Sequence, residues 1–183
     1  MKEHGKVIFY ILIVFVVIAA GVTFAFFTSE VGSGEDDTSI TSNAGVMNIT
    51  YNGGSKITAT KLLPSDTAFA TKVFTVTGTS TTKDLSMKYQ VKLVVDNNTF
   101  KSPISYTLTS VNTGNNGSVI GTVNETKITG TSAVLGSGSF INAESRIHTY
   151  TLKLYYKDTG TDQSADMGAN IKVHVEVTAV TGA

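Results

Sequence analysis

Metal and hydrolytic chemistry need clustered donors, and this chain is short of them. Its histidines are His4, His148 and His174, and it has no cysteine. A zinc peptidase sets two histidines one helical turn apart with a glutamate as base, the His-Glu-x-x-His arrangement. No pair here has that spacing. His148 stands at the start of an alternating apolar stripe and His174 on the polar side of another, so each reads as a strand histidine with its hydrogen bonds satisfied. Asp158, Asp162 and Asp166 recur every four residues, whereas a calcium loop takes its ligands at alternate positions around a fixed glycine; a solvated loop is expected. Glu35-Asp36-Asp37 is likewise a solvated acidic stretch. No Ser, His and Asp grouping, phosphate-cradling glycine loop or carboxylate pair can be placed. The expectation is a protein with no catalytic residues, no metal and no cofactor, and not an enzyme. The Asn-x-Ser/Thr triplets at Asn48, Asn97, Asn116 and Asn124 are what chance supplies in a chain rich in those residues.

The strongest signal lies near the N-terminus. Residues 7–27 hold no charge, and twenty-one residues at the helical rise cover roughly 30 Å, the hydrocarbon thickness of a bilayer. Lys2 and Lys6 precede the run, which keeps the N-terminus in the cytoplasm and sends the rest across. The layout fits a secretory signal, with Thr23 and Ala25 as small residues at the −3 and −1 positions and Phe26 as the mature N-terminus. It also fits a retained membrane anchor through residues 7–27. A prepilin-type leader ending at Gly5 fits more loosely, because no acidic residue follows inside the apolar run. The expected localisation is therefore extracellular or at the cell surface, with a signal peptidase or the membrane itself as a partner.

Removing residues 1–25 from the 183 leaves 158, enough for one domain with a sizeable core. Lys2, Lys6 and Glu3 leave with them, so 12 basic residues face 13 acidic ones. Such a balance gives no basic face for nucleic acid. It also does little to keep copies apart, which suits self-association. Without cysteine, the domain relies on its core rather than on disulfides.

Residues 28–45 are small, polar and acidic and read as an extended arm or linker. From Val46 the chain alternates: Met47, Ile49 and Tyr51 share one side. A weaker strand over 56–62 is broken by Leu63-Pro64-Ser65-Asp66, and 72–77 resumes with Phe74 and Val76 inward. Leu85, Met87, Tyr89, Val91, Leu93 and Val95 fall on one face, and Asp96-Asn97-Asn98 is expected to end that strand. Ile104, Tyr106 and Leu108 alternate before a loop at 112–118, and glycines cut 119–141 into two or three strands. His148, Tyr150, Leu152, Leu154 and Tyr156 form another stripe, and Ile171, Val173, Val175, Val177 and Ala179 the last. Eight or nine half-buried strands with no helical period after residue 28 describe an all-β, antiparallel β-sandwich. The expected division is 1–25 signal or anchor, 26–43 flexible arm and 44–183 sandwich domain. Outer strands of a sandwich can accept a strand from another copy, and a free arm is the part that would supply one.

Four places resemble the TasA/camelysin family of exported bacterial proteins. Phe24-Ala25-Phe26-Phe27-Thr28-Ser29 is similar to its processing junction, although Glu30 follows where an aspartate is usual. Ser42-Asn43-Ala44-Gly45-Val46-Met47-Asn48-Ile49 resembles its glycine and first core strand. Leu63-Pro64-Ser65-Asp66 followed by Phe74-Thr75-Val76 resembles its Leu-x-Pro-Gly-Asp turn and next strand, with Ser65 replacing glycine. The stripe from Tyr150 to Tyr156, the polar loop and the stripe from Ile171 to Ala179 resemble its closing pair. The resemblance implies a jelly-roll-like sandwich, a leader removed by the SipW type of signal peptidase, and a subunit of biofilm-matrix fibres that passes its N-terminal arm to a neighbour. The donor arm would then carry Phe26, Phe27, Val31 and Ile40 as its apolar side chains; the plain reading of the same residues is the tail of a membrane segment and a linker. Camelysin has been classed as a metalloprotease, which the histidine spacing above does not support.

Overall fold

Apolar residues at every second position can share a side only in extended backbone, so each stripe becomes a strand with one face to bury. The computed structural model describes residues 40–44, 47–80, 86–114, 116–141 and 145–180. In chain order its strands are β1 Ile40–Ala44, β2 Met47–Asn52, β3 Ile57–Thr60, β4 Ala70–Ser80, β5 Ser86–Asn98, β6 Ser105–Thr113, β7 Val123–Lys127, β8 Ser132–Ile141, β9 Arg146–Tyr155 and β10 Asn170–Val180. They form two sheets, β1-β2-β4-β9-β6-β7 and β3-β10-β5-β8, and all the strand pairs are antiparallel. The described residues belong to one unit, Val31–Ala183, an all-β sandwich. The region expected to hold an N-terminal helix, residues 7–27, lies outside the described residues.

One core fills the space between the sheets. Tyr89, Val91 and Leu93 of β5 and Val173 and Val175 of β10 meet Phe74 and Val76 of β4 and Tyr150, Leu152 and Leu154 of β9, all fully buried. Full burial of such side chains contributes about 1.5–3 kcal/mol each, which is why the stripes set the fold. The sheets approach closely because Gly78 of β4 has no side chain: a Cβ there would lie 2.4 Å from the Phe140 ring of β8. Phe140 stacks on His148 at 4.1 Å between ring centres, and Phe74 on Tyr150 at 5.1 Å.

Several boundaries differ from the sequence expectation. β5 does not stop at Asp96-Asn97-Asn98 but runs through Asn98. The register with β10 passes from Val95↔Val173 to Asn97↔Lys172, so Asp96 is an extra residue in a bulge and its side chain turns to His174 and Lys56. β6 continues to Thr113, into the expected loop, because Asn112 and Thr113 still pair with His148 and Ile147. Residues 40–43 of the expected arm lie in β1, hairpin-paired with β2 in even register from Ile40↔Tyr51 to Ala44↔Met47. The stretch 119–141 holds two strands, and the described residues contain ten strands in all.

Candidate functional site

A sandwich that joins other copies must do so through edges or faces, so the edges define the first candidate site. An edge strand exposes unpaired N–H and C=O groups, which proteins usually blunt with charge, bulges, shortness or cover. Three of the four edges here are blunted. β7 carries Glu125 and Lys127 and slips register against β6 between Tyr106 and Leu108. β3 is four residues long and ends at Lys61, whose φ of 54° turns the chain away. β8 bulges where Val91↔Gly136 gives way to Lys92↔Val134, and Ser118 covers its far end by exchanging backbone hydrogen bonds with Ser139 at 2.9 and 2.7 Å. β1 is short as well, at five residues, but among the described residues it is an edge with neither charge nor bulge. Its sequence, Ile-Thr-Ser-Asn-Ala, has no charge and no proline, and its pairing with β2 has no register shift.

The second arrangement is a polar bridge inside the core. His148 is 0 % exposed on β9. Its Nε2 lies 2.7 Å from the Asn116 carbonyl, which can only accept, so Nε2 carries the proton. Its Nδ1 is then the acceptor, and the Tyr89 hydroxyl, 2.6 Å away on the other sheet, donates to it. Tyr89 in turn accepts from Tyr150 at 2.5 Å, and Tyr150 accepts from the Ile120 amide at 3.2 Å. Every proton in this chain of four hydrogen bonds has one direction, fixed at one end by an amide and at the other by a carbonyl. Burial lowers the His148 pKa against the opposing pull of the Asn116 carbonyl. Burial also pushes the Tyr89 hydroxyl well above its usual range and raises that of Tyr150, so the bridge is neutral.

Asn116 makes the same loop part of the sandwich wall. Its side chain donates to the Ile141 carbonyl and accepts the Ile141 amide at 2.7 Å, while its own amide donates to Asn112 at 3.2 Å. A second anchor sits at the opposite end, where Asp166 is 3 % exposed at the close of a 3-10 turn, Ser164–Asp166. It accepts the Lys101 amide at 2.5 Å, the Ser102 amide at 3.1 Å and the Tyr156 hydroxyl at 3.0 Å. Burial opposes its charge, but hydrogen bonds from the Ser102 side chain and these donors outweigh it and hold the carboxyl at about 2.

The three aspartates of that loop do not act together. Asp158 accepts the Gly160 amide at 2.8 Å, Asp162 accepts the Ser164 amide at 2.9 Å, and Asp166 points inward. The solvated reading holds for Asp158 and Asp162 and fails for Asp166, which four-residue spacing could not separate from its neighbours. His174 faces Asp96 at 3.1 Å on the outer side of the four-stranded sheet, away from His148. Among the described residues no three His, Asp or Glu side chains converge.

Of the arm residues, Ile40 opens β1 opposite Tyr51, while Phe26, Phe27 and Val31 lie outside the described residues, as do Thr23 and Ala25 of the processing junction. The bridge residues Tyr89, Tyr150 and Asn116 carried no signal as a group: both tyrosines sit in stripes where any large apolar residue would fit, and Asn116 in a loop of Asn and Gly. The one hint was His148, a titratable side chain on an otherwise apolar face. No protein-family model, no curated protein and no solved structure matches the chain.

Proposed function

We propose that this chain is an exported structural subunit of the TasA/camelysin type, assembled outside the cytosol by donation of an N-terminal strand between copies. The observation that supports it is the edge inventory: among the described residues β1 is an edge with neither charge nor bulge, and the expected donor arm, residues 26–43, runs into it, its residues 40–43 pairing with β2. The strand order also favours the jelly-roll reading, with β3-β10-β5-β8 facing β4-β9-β6-β7 and the β1–β2 hairpin added beside β4. A metalloprotease is disfavoured because His148 uses both ring nitrogens inside the core. On this reading a signal peptidase frees Phe26, and neither catalysis nor a cofactor is involved. A monomeric surface domain held by residues 7–27 and binding a wall polymer or a protein is the second reading, favoured by the length of that uncharged run.

N-terminal sequencing of the protein from the producing cells, with electron microscopy of the same material, separates the two. Strand donation expects a start at Phe26 and fibres that vanish when residues 26–39 are deleted, a cut placed before β1 so that the sheet is left whole. A start at Met1, or fibres that persist without the segment, overturns it.

A further inference from the structure

The two outer faces of the sandwich are built from different side chains. On the six-stranded sheet β4 turns Thr71, Val73, Thr75 and Thr77 outward, opposite to Phe74 and Val76. Register sets Thr149 of β9 between Thr75 and Val111 of β6, and Thr151 between Val73 and Thr109. Ile147 lies between Thr77 and Thr113. Across the outward positions of these three central strands Lys153 is the single charge, and Val73, Val111 and Ile147 are 59 %, 60 % and 46 % exposed. The four-stranded sheet also exposes Val134, Ile141 and Val180, but among charges: it presents Lys88, Gln90 and Lys92 on β5 with Lys172, His174 and Glu176 on β10. Strand propensity alone would favour β-branched residues on both faces equally, so it does not account for the difference.

We infer that the threonine-rich face of the six-stranded sheet is a contact surface for the same face of a second copy. Three properties select that occupant. Each threonine hydroxyl both donates and accepts, so two identical faces can satisfy one another, whereas a charged partner finds almost no counter-charge here. β-Branched side chains have few rotamers to lose, so covering them costs little conformational entropy compared with the lysines of the other face. The area approaches what is needed: β2, β4, β9 and β6, which average nine residues at ~3.3 Å each and are spaced ~4.8 Å apart, give roughly 570 Å² per copy, against the ~800 Å² of a standard interface. The contact is lateral, face to face, and independent of strand donation along an edge.

The absence of cysteine makes single-cysteine reporters clean. Thr149→Cys and Thr75→Cys are compared, in the full chain, with Gln90→Cys on the charged face, using a short bis-maleimide and gel detection of covalent dimers. Circular dichroism first confirms the wild-type melting transition in each variant. The expected result is dimer from Thr149→Cys and Thr75→Cys but not from Gln90→Cys. Adding Val73→Lys and Thr151→Lys to the Thr149→Cys chain should cut the yield at least about tenfold, the effect of ~1.4 kcal/mol. Equal cross-linking on both faces, or none at either threonine position, overturns the inference. Deleting residues 26–39 keeps the failures apart: donor-strand fibres then disappear while cross-linking at Thr149→Cys remains, and its loss would mean the face has no affinity of its own.

Discussion

At the residue scale the polar bridge makes stability depend on one proton. His148 is neutral in the fold because burial depresses its pKa, while in the unfolded chain it titrates near ~6.5. As pH falls below that value the unfolded state binds a proton that the folded state refuses, so stability is full above about pH 6.5 and declines beneath it. The slope is at most ~1.4 kcal/mol per pH unit and ends at the lower folded pKa. Urea unfolding across this range should show the decline in the wild type and lose that component in His148→Gln. Tyr89→Phe, which leaves His148 Nδ1 without its donor and the Tyr150 hydroxyl proton without its acceptor, should cost about 1–3 kcal/mol at neutral pH. An unchanged slope in His148→Gln would show that the acid sensitivity arises elsewhere. Asp166 adds to the acid sensitivity only in stronger acid: with its carboxyl held at about 2, its stabilising share is present above the usual carboxylate range and is lost as pH falls towards 2.

At the element scale the weak points are the places where the backbones of two elements nearly touch. Gly117 has φ of 67°, and a Cβ there would lie 1.8 Å from the Ser139 carbonyl oxygen of β8. Gly168 has φ of 81° before β10, yet nothing lies within 4 Å of its would-be Cβ. The two glycines share the left-handed conformation and differ in space. Gly168→Ala should therefore cost only the conformational strain of about 1–2 kcal/mol. Gly117→Ala should cost clearly more, because the loop must detach from β8 and release Asn116 from Ile141. Denaturant midpoints of the two variants give the order directly, and equal losses would mean that this loop yields more easily than its hydrogen bonds suggest.

At the scale of the whole molecule the fold is made of non-local pairings. β3 meets β10, with Ile57 opposite Val173, and β5 meets β10, with Tyr89 opposite Ala179. The chain must close these long loops before any of the pairs is stabilised, so refolding from urea should take milliseconds to seconds rather than microseconds. Stopped-flow fluorescence of the tyrosines would record it. With no cysteine, reducing agent should leave both rate and midpoint unchanged. Neutral net charge and a sheet face whose central strands carry Lys153 as their single outward charge act on the same scale, since neither does much to keep copies apart.

The alternation of apolar residues was enough to show that this domain is all-β, and which side of the strongly alternating strands is buried. That pattern is local: a side chain in extended backbone points opposite to its neighbour whatever the strand later pairs with. The stripes holding Phe74, Tyr89, Tyr150 and Val173 were therefore legible from the sequence. Strand ends were less so, because Asp96 and Asn112 look like turn residues until a bulge or a neighbouring strand takes up their polar groups. Only the tertiary structure could decide that Tyr89 bonds His148 and Tyr150, 59 and 61 residues away, and that Asp166 alone among three spaced aspartates turns inward. It also decided that threonines from β4, β6 and β9 share one face with Lys153 as its single charge, since which stripes become neighbours depends on strand order, and no local periodicity encodes that order.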